Sequence, residues 1–272
     1  MTDLDPRDRS AMSLGFGAYE IVRPLRPCGA IERYLVSDPE RLTHHVAFRL
    51  PPPAVRDRES SLDTLSRAST VRSPHVAPVE QFAFAATEAA WIISPYTGDH
   101  DGLLLLSDLL ADKGGQFEAA EVRRAMLQLI DALEAIQTSC GGHGSLSLGC
   151  VQVDRAGKLL VELPGLRMDN GSPAGVAQAE LRSLVAIGYE LLTGIAPGDQ
   201  IILPSRLAEG LDPRWDRFIS DGLDPAMGYA SLDELRSGLE DALVGQPVVE
   251  VKTRRSGGRL GLRRWGSGVS QD

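Results

Sequence analysis

The patterned part of the chain begins with strand-like stretches and continues with helices. Strand-like runs rich in apolar residues cover Tyr19–Leu25, Arg33–Pro39 and His44–Leu50, and turns separate them. Farther along, apolar residues recur at helical spacing within Glu118–Gln137, and a wide apolar face is found again within Glu180–Thr193. We therefore predict three antiparallel strands followed by a mainly helical region, whose apolar helix faces pack into a core.

A short β-hairpin is predicted inside the helical region. The apolar runs Val151–Val153 and Leu159–Leu163 flank the sequence Asp154–Gly157, in which glycine stands where the turn would need a positive φ. A loop rich in glycine and serine, Cys140–Cys150, precedes the hairpin, and Gly165 follows it. A long helix, a loop, a hairpin and a second loop thus follow one another.

This order resembles the catalytic core of the eukaryotic-type (bacterial Hanks-type) Ser/Thr protein kinases. The resemblance implies an α+β fold of two lobes, with an antiparallel sheet and one helix in the N-lobe and mainly helices in the C-lobe. It places the N-lobe at residues 19–95, with its last two strands within 83–94, and the C-lobe at residues 96–245. Residues 1–18 are expected to form a flexible arm, and the Gly/Ser/Arg-rich residues 246–272 a disordered tail.

The catalytic residues of that family are replaced at the matching positions. The family loop reads H-R-D-L-K-P-x-N, and the strand after it ends in D-F-G. By this resemblance Ser145 takes the place of the catalytic Asp and Ser147 that of the Lys, whereas Cys150 and Leu163 replace the two metal ligands. Serine is no base near neutral pH, and Mg²⁺ prefers oxygen ligands to a thiol. We therefore expect neither a catalytic residue nor a metal site.

The nucleotide-binding residues of the family are replaced as well. Its glycine-rich loop, G-x-G-x-x-G, corresponds to Leu25–Ile31, where Cys28 occupies one glycine position and the single glycine, Gly29, falls between them. Arg49 takes the place of the lysine in V-A-I-K, and Thr64 that of the glutamate which holds this lysine. Arginine is not equivalent to lysine where a point charge must reach two phosphates. We expect no cofactor, and at most a weak nucleotide site formed by Arg49 with Cys28 and Gly29.

Four other polar residues in this region receive structural interpretations. Side chains alternate across a strand, so Glu162, one residue before the replaced Asp, is expected to face the opposite way, as a solvated or turn-facing carboxylate. Asp154 is assigned to turn chemistry and His143 to packing. Glu180 replaces an Asp that anchors the catalytic loop in the family, and we expect part of that anchoring to survive as helix capping.

The segment that docks a peptide substrate in active kinases is short in this chain. Leu166 to about Ala179 separates the hairpin from the next helix, and no A-P-E sequence is recognisable there. The arginine that would pair with the A-P-E glutamate is Gly228, so both partners of that buried ion pair are missing together. We expect the substrate platform to be largely deleted.

Composition restricts the cellular setting. The chain has 272 residues, of which 43% are hydrophobic and 24% charged, and this fits one large or two-lobed globular domain. The sequence contains no run of about 18 apolar residues and its start lacks a signal-peptide core, so we expect a cytoplasmic protein without a transmembrane segment. The three cysteines, Cys28, Cys140 and Cys150, lack metal-site spacing and are expected to be reduced and mostly buried.

Charge distinguishes the body of the chain from its tail. The formal net charge of −9 argues against nucleic-acid binding by the folded body. The tail nevertheless carries Arg254, Arg255, Arg263 and Arg264, which are candidates for contact with an acidic partner, anionic lipid or RNA. A solvated tail without a partner is the alternative.

The simultaneous replacements predict a pseudokinase that acts as a protein-interaction, scaffolding or allosteric module for an unknown protein partner. One alternative is a divergent Ser/Thr kinase with relocated ligands, for which Arg49, Glu162 and Asp154 are the candidates. Another is a sensor that binds a nucleotide without catalysis. A serine hydrolase would need a positioned base, and Ser145 with His143 in a glycine-rich loop does not define one.

Overall fold

The structure is a computed structural model, and it describes residues 19–50, 58–84, 90–98, 102–144, 146–164, 173–226 and 228–242. The predicted arm at 1–18 and the predicted tail at 246–272, with its four candidate arginines, lie outside the described residues. Within the described ranges, no helix has both the length and the apolar character needed to cross a membrane.

Five antiparallel strands form the sheet of the N-lobe in the order β1-β2-β3-β5-β4. The strands are β1 (Glu20–Cys28), β2 (Ile31–Asp38), β3 (Thr43–Leu50), β4 (Gln81–Phe84) and β5 (Ala90–Pro95). Helix α1 (Arg58–Ala68) lies between β3 and β4 in the chain, and it buries Leu65 in the main core. The predicted N-lobe of an antiparallel sheet and one helix is therefore confirmed for the described residues.

The two faces of this sheet have different surroundings. In the register of β2 with β3, Arg33 lies opposite Phe48 and Glu32 lies opposite Arg49. Because successive residues of a strand face opposite sides, Arg33 and Phe48 share one face while Glu32 and Arg49 share the other. Phe48 is fully buried in the main core, so its face is the inner one. Ala47 belongs to a second, small apolar cluster on the outer face.

The C-lobe consists mainly of helices. They are α2 (Leu106–Asp112), α3 (Ala119–Cys140), α4 (Pro173–Thr193), α5 (Arg214–Leu223) and α6 (Leu232–Asp241). The apolar positions predicted for α3 are all buried, namely Val122, Met126, Leu129, Ile130 and Leu133. The packing role predicted for this helix is therefore confirmed. Burial of each such side chain stabilises the fold by about 1.5–3 kcal/mol.

Helix α4 begins at Pro173, earlier than the Glu180 start predicted from its apolar face. It ends as predicted at Gly194, whose φ is +79° and whose amide donates to the Glu190 carbonyl oxygen at 2.8 Å. The predicted start was wrong because the apolar face marks where the helix is buried, and its first turns contain exposed residues such as Gln178 and Ala179.

A two-stranded hairpin lies between the lobes, formed by β6 (Val151–Val153) and β7 (Leu159–Val161). The Val161 amide donates to the His75 carbonyl oxygen and the Ala77 amide donates to the Val161 carbonyl oxygen, both at 2.9 Å. These bonds attach the hairpin to the segment that leads into β4. The hairpin is thereby held beneath the N-lobe sheet, and it positions the residues described next.

Candidate functional site between the lobes

The turn of the hairpin is set by Asp154, as the sequence predicts. Its Oδ1 accepts hydrogen bonds from the amides of Ala156 at 2.9 Å and Lys158 at 2.8 Å. Gly157 has a φ of +77°, which glycine adopts without the steric cost that other residues meet. The interpretation of Asp154 as a turn residue is therefore confirmed, and its carboxylate is engaged away from the cleft.

Arg33 fills the space between the N-lobe sheet and the hairpin. Its side chain and that of Glu162 are both 0% exposed, and Nη2 of Arg33 donates to Oε2 of Glu162 in a buried ion pair. The same Nη2 donates to the carbonyl oxygen of Gly149 at 2.6 Å, and Nη1 donates to that of Arg26 at 3.1 Å. The guanidinium therefore joins β1, β2 and the hairpin from the inner face of the sheet.

The second oxygen of Glu162 extends this contact into a network. Gln152 Nε2 donates to Oε1 of Glu162 at 2.7 Å, and Thr97 Oγ1 donates to Oε1 of Gln152 at 2.6 Å. Gln152 is itself 0% exposed. A chain of polar groups, hereafter the cleft network (Arg33, Glu162, Gln152 and Thr97), thus reaches from the sheet to the segment that connects the lobes.

The predicted solvated or turn-facing position of Glu162 is wrong. Glu162 directly follows β7, whose three residues are all buried because the hairpin lies between the lobes, and Glu162 is itself 0% exposed. A buried carboxylate is tolerated where an opposite charge and hydrogen bonds compensate for lost hydration, and Arg33 and Gln152 provide these. Burial raises the pKa of Glu162 above its usual range, while the Arg33 guanidinium opposes that rise.

His143 holds the start of the loop before the hairpin. Its ring is buried, and Nε2 donates to the Glu162 carbonyl oxygen at 2.7 Å. Nδ1 has no hydrogen-bond partner among the described residues, which fits a neutral ring with its proton on Nε2. Burial lowers the pKa of His143, although the Glu162 carbonyl and the Glu180 charge oppose this. The predicted structural role of His143 is confirmed.

Glu180 anchors the same loop from inside α4. Its Oε1 accepts from the backbone amides of His143 at 2.5 Å and Gly144 at 2.8 Å, and Oε2 accepts from Gln137 Nε2 at 2.9 Å. The predicted anchoring is therefore present. Its predicted form as a helix cap is wrong, because α4 begins at Pro173 and Glu180 lies within it.

Cys28 and Cys150 form a disulfide with a Cα–Cα distance of 6.1 Å. The expectation of three reduced thiols is therefore wrong for this pair. The sequence could not reveal it, because 122 positions separate the two residues and spacing rules test only near neighbours. Cys140 is free and buried, as predicted, and burial raises the pKa of its thiol.

The structure brings together four of the predicted site residues at one end of the cleft. Cys28, Gly29 and Ser147 line the same cavity, and Ser147 Oγ lies 3.5 Å from the sulfur of Cys150. Leu163 is buried in the main core, with a left-handed φ of +53° that leucine rarely adopts. Ser145, the replacement of the catalytic Asp, lies outside the described residues, as do residues 165–172 of the shortened segment.

Arg49 is not part of this group. It lies on the outer face of β3, where its side chain is 42% exposed and Nη1 donates to Oε2 of Glu32 at 3.0 Å. Phe48 occupies the inner face instead, because a shift of one residue along a strand reverses the face. On α1, Asp63 pairs with Arg67 one turn later at 2.7 Å, while Leu65 is the buried side chain.

The residues of the cleft do not fit a magnesium nucleotide. A kinase places the nucleotide phosphates under the β1–β2 loop and two Mg²⁺ ions on an Asn and an Asp. Here the Arg33–Glu162 pair occupies buried space beneath β2, Cys150 is bonded to Cys28, and the side chain of Leu163 has no oxygen atom to bind a metal. Among the described residues, no group of three His, Cys, Asp or Glu side chains is arranged to hold a metal ion.

Sequence reasoning missed Arg33 and Gln152, although each left a signal. The kinase loop pattern continues as G-x-G-x-x-G-x-V, and in the register of Leu25–Ile31 the valine position is Arg33. Gln152 is the polar residue of a three-residue strand whose positions are all buried. A charged or amide side chain at such an apolar position indicates a partner somewhere in the fold.

Comparison with solved structures reveals a clear similarity of fold. The chain is similar to a crystal structure of the Mycobacterium tuberculosis PknI kinase domain, with 21% identity and a TM-score of 0.68, covering 85% of this chain and 99% of that one. A further structure of that domain gives 20% identity and a TM-score of 0.67 at the same coverage. No family model and no curated protein matches the sequence. The chain therefore has the two-lobed protein-kinase fold, as its sequence predicts.

Proposed function

We propose that this chain is a catalytically inactive kinase-like domain that serves as a protein-interaction, scaffolding or allosteric module. The observation that carries the proposal is the cleft network. An ion pair with both side chains 0% exposed occupies the region where the fold would receive a nucleotide. A nucleotide could occupy this space only if the pair were displaced, which would leave charges buried without partners.

The chemistry of phosphoryl transfer supports the same proposal. Transfer depends on positioning and on cations that neutralise the developing charge, and these need oxygen ligands and a base near the transferred group. The corresponding positions carry Ser145, Cys150 and Leu163. The buried carboxylate of Glu162 is committed to Arg33 and Gln152.

What the chain keeps is the framework of the fold. His143 and Glu180 hold the loop before the hairpin in shape, although that loop has lost the residues for catalysis. Since a fold can be retained for binding when its chemistry is gone, the remaining role is recognition of a partner. The arginines Arg254, Arg255, Arg263 and Arg264 are candidates for contact with an acidic protein partner.

A phosphotransfer assay tests the proposal. The full chain is incubated with γ-labelled ATP and Mg²⁺ or Mn²⁺, with casein or myelin basic protein as acceptor, and both acceptor and autophosphorylation are measured. We expect no transfer above that of a boiled sample. Transfer that is lost in Arg49→Ala or Asp154→Asn, two variants of the remaining candidate ligands, would show that the domain is an enzyme with relocated residues.

A further inference from the structure

The Cys28–Cys150 disulfide connects two parts of the molecule that no local element joins. Cys28 ends β1 beside the Gly29-Ala30 turn of the N-lobe, and Cys150 immediately precedes β6 at the C-lobe side of the cleft. The bond therefore ties the tip of the β1–β2 hairpin to the loop beneath it. Its Cα–Cα distance of 6.1 Å lies within the range that a disulfide can span.

Non-covalent contacts hold the same two segments together. Arg33 binds the carbonyl oxygens of Arg26, two residues before Cys28, and of Gly149, one residue before Cys150. In addition, Arg26 Nη1 donates to Oδ1 of Asp108 on α2 at 2.5 Å. The two sulfur atoms would therefore stay close together if their bond were opened, which favours its re-formation.

A cavity of about 270 Å³ lies beside Cys28. It is partly open, and its wall includes Cys28, Gly29, Ser147 and Gly149. Cys150 itself is only 8% exposed, so Cys28 is the sulfur that a small thiol would approach first through this cavity. Cys140 is buried elsewhere in the core, at the end of α3, and offers no such access.

We propose that Cys28 and Cys150 form a reversible redox staple that locks the β1–β2 hairpin onto the C-lobe. Oxidation proceeds by thiol–disulfide exchange with a small-molecule or protein disulfide. The thiolate of one cysteine attacks the oxidant's sulfur–sulfur bond and releases one thiol, which gives a mixed disulfide. The second cysteine thiolate then attacks the protein sulfur of that mixed disulfide, forms the Cys28–Cys150 bond and releases the second thiol.

The step balances, because the two cysteines lose two protons and two electrons and the oxidant's disulfide gains them as two thiols. A reduced dithiol carries out the reverse step. A reversible bond fits the cytoplasmic setting that the sequence predicts, where such bonds are more often transient than permanent. It does not depend on whether the domain transfers phosphate, since oxidation would close this end of the cleft in either case.

A redox titration with mass mapping tests the site. The full chain is equilibrated in glutathione buffers of graded potential, quenched in acid, and alkylated before and after reduction with two isotopic forms of iodoacetamide. We expect Cys28 and Cys150 to titrate together, with one midpoint and as one linked peptide within a single chain, while Cys140 stays reduced. Separate glutathione adducts, bonds between chains, or a bond that stays closed at every potential would overturn the proposal.

Hydrogen exchange tests the mechanical consequence. The amides of Arg26 and of residues 28–31, at the hairpin tip, are expected to exchange at least tenfold more slowly in the oxidised than in the reduced chain. Cys28→Ser and Cys150→Ser should both remove that difference, whereas Cys140→Ala should keep it. The oxidised chain should also melt roughly 5–15 °C higher, since the bond closes a long loop. Equal exchange in both redox states would refute a lock.

Discussion

The side chain of Arg33 occupies part of the cleft between the lobes. It points inward from β2, and its guanidinium meets Glu162 where neither side chain is exposed. A buried ion pair of this kind adds little net stability, because desolvation offsets attraction, but loss of one partner leaves an uncompensated charge. Removal of either residue therefore leaves the charge of the other buried without its counter-charge.

A double-mutant cycle measures this dependence. We expect Arg33→Met and Glu162→Gln each to lower the free energy of unfolding by about 3–5 kcal/mol, and the double variant to lose clearly less than the sum. Urea unfolding provides the measurement. Arg49→Met is the matched control, because its exposed pair with Glu32 contributes at most about 1 kcal/mol. Additive losses, or a loss for Arg33→Met as small as that of the control, would rule out a coupled pair.

His143 predicts a specific pH dependence of stability. Its pKa is lowered in the fold by burial, so the unfolded chain takes up the proton first as the pH falls. The contribution of His143 to the free energy of unfolding is therefore fully present above about pH 6.5. Below that pH it is lost progressively, by at most about 1.4 kcal/mol per pH unit. His143→Gln keeps a donor for the Glu162 carbonyl oxygen but cannot titrate.

Urea unfolding between pH 5 and 8 checks this expectation. The wild-type chain should lose stability towards pH 5 more steeply than His143→Gln does, and the two curves should become parallel above pH 7. Identical slopes over the whole range would mean that the imidazole titrates in the fold as it does in the unfolded chain.

The residues that the sequence predicted correctly are those whose role is local. Asp154 belongs to a turn signal, and the family motif itself identifies His143 as a structural residue. Glu162 could not be placed in the same way, since its surroundings depend on Arg33, which lies 129 positions away. A sequence pattern indicates that a strand has two faces, but not that a second lobe covers the face assumed to meet water.

Helix α4 and the loop before the hairpin form the unit that preserves the kinase framework. Glu180 is 0% exposed and accepts three hydrogen bonds, two of them from loop amides. Gly142 allows this contact, because a Cβ there would lie 2.7 Å from Oε1 of Glu180 and the φ of +147° disfavours other residues. A hydrogen bond to a charged group contributes about 1.5–3 kcal/mol, and the contributions of bonds that share one acceptor group do not simply add.

Substitution of Glu180 should make the loop before the hairpin more mobile without unfolding α4. We expect Glu180→Ala to destabilise the chain by about 2–4 kcal/mol and to speed exchange of the His143 and Gly144 amides. Glu180→Gln keeps an acceptor and should cost clearly less. Circular dichroism should show helix content close to wild type in both. Unchanged amide exchange in Glu180→Ala would mean that other contacts shape the loop.

Periodicity predicted the elements better than their ends or their register. The buried positions of α3 follow from its apolar spacing. The start of α4 could not be predicted in this way, because Val176 is the single large apolar residue of its first two turns. In β3, the match to V-A-I-K predicted that Arg49 faces the cleft. Arg33 pairs with Phe48, however, so Phe48 faces the cleft and Arg49 faces the outside of the sheet. A motif match does not fix the position within a short strand to better than one residue, and an error of one residue exchanges the two faces of the strand.

The two lobes are joined by contacts that only the folded molecule reveals. The Cys28–Cys150 bond, the Arg33–Glu162 pair and the Arg26–Asp108 pair all link the N-lobe to the C-lobe. The order of elements was sufficient to predict the two-lobed fold, because that order is visible along the chain. The filling of the cleft was not predictable in this way, since each of its contacts joins residues far apart in sequence.

Nucleotide binding is the most direct test of a filled cleft. Thermal melting of the purified full chain is compared without ligand, with millimolar ATP, and with ATP plus Mg²⁺, in oxidised and reduced samples. A ligand at 100 times its Kd would add about 2.7 kcal/mol, equivalent to a shift of several degrees in this size range. We predict no shift under any of these conditions. A metal-dependent rise of several degrees would contradict a cleft occupied by the chain's own side chains.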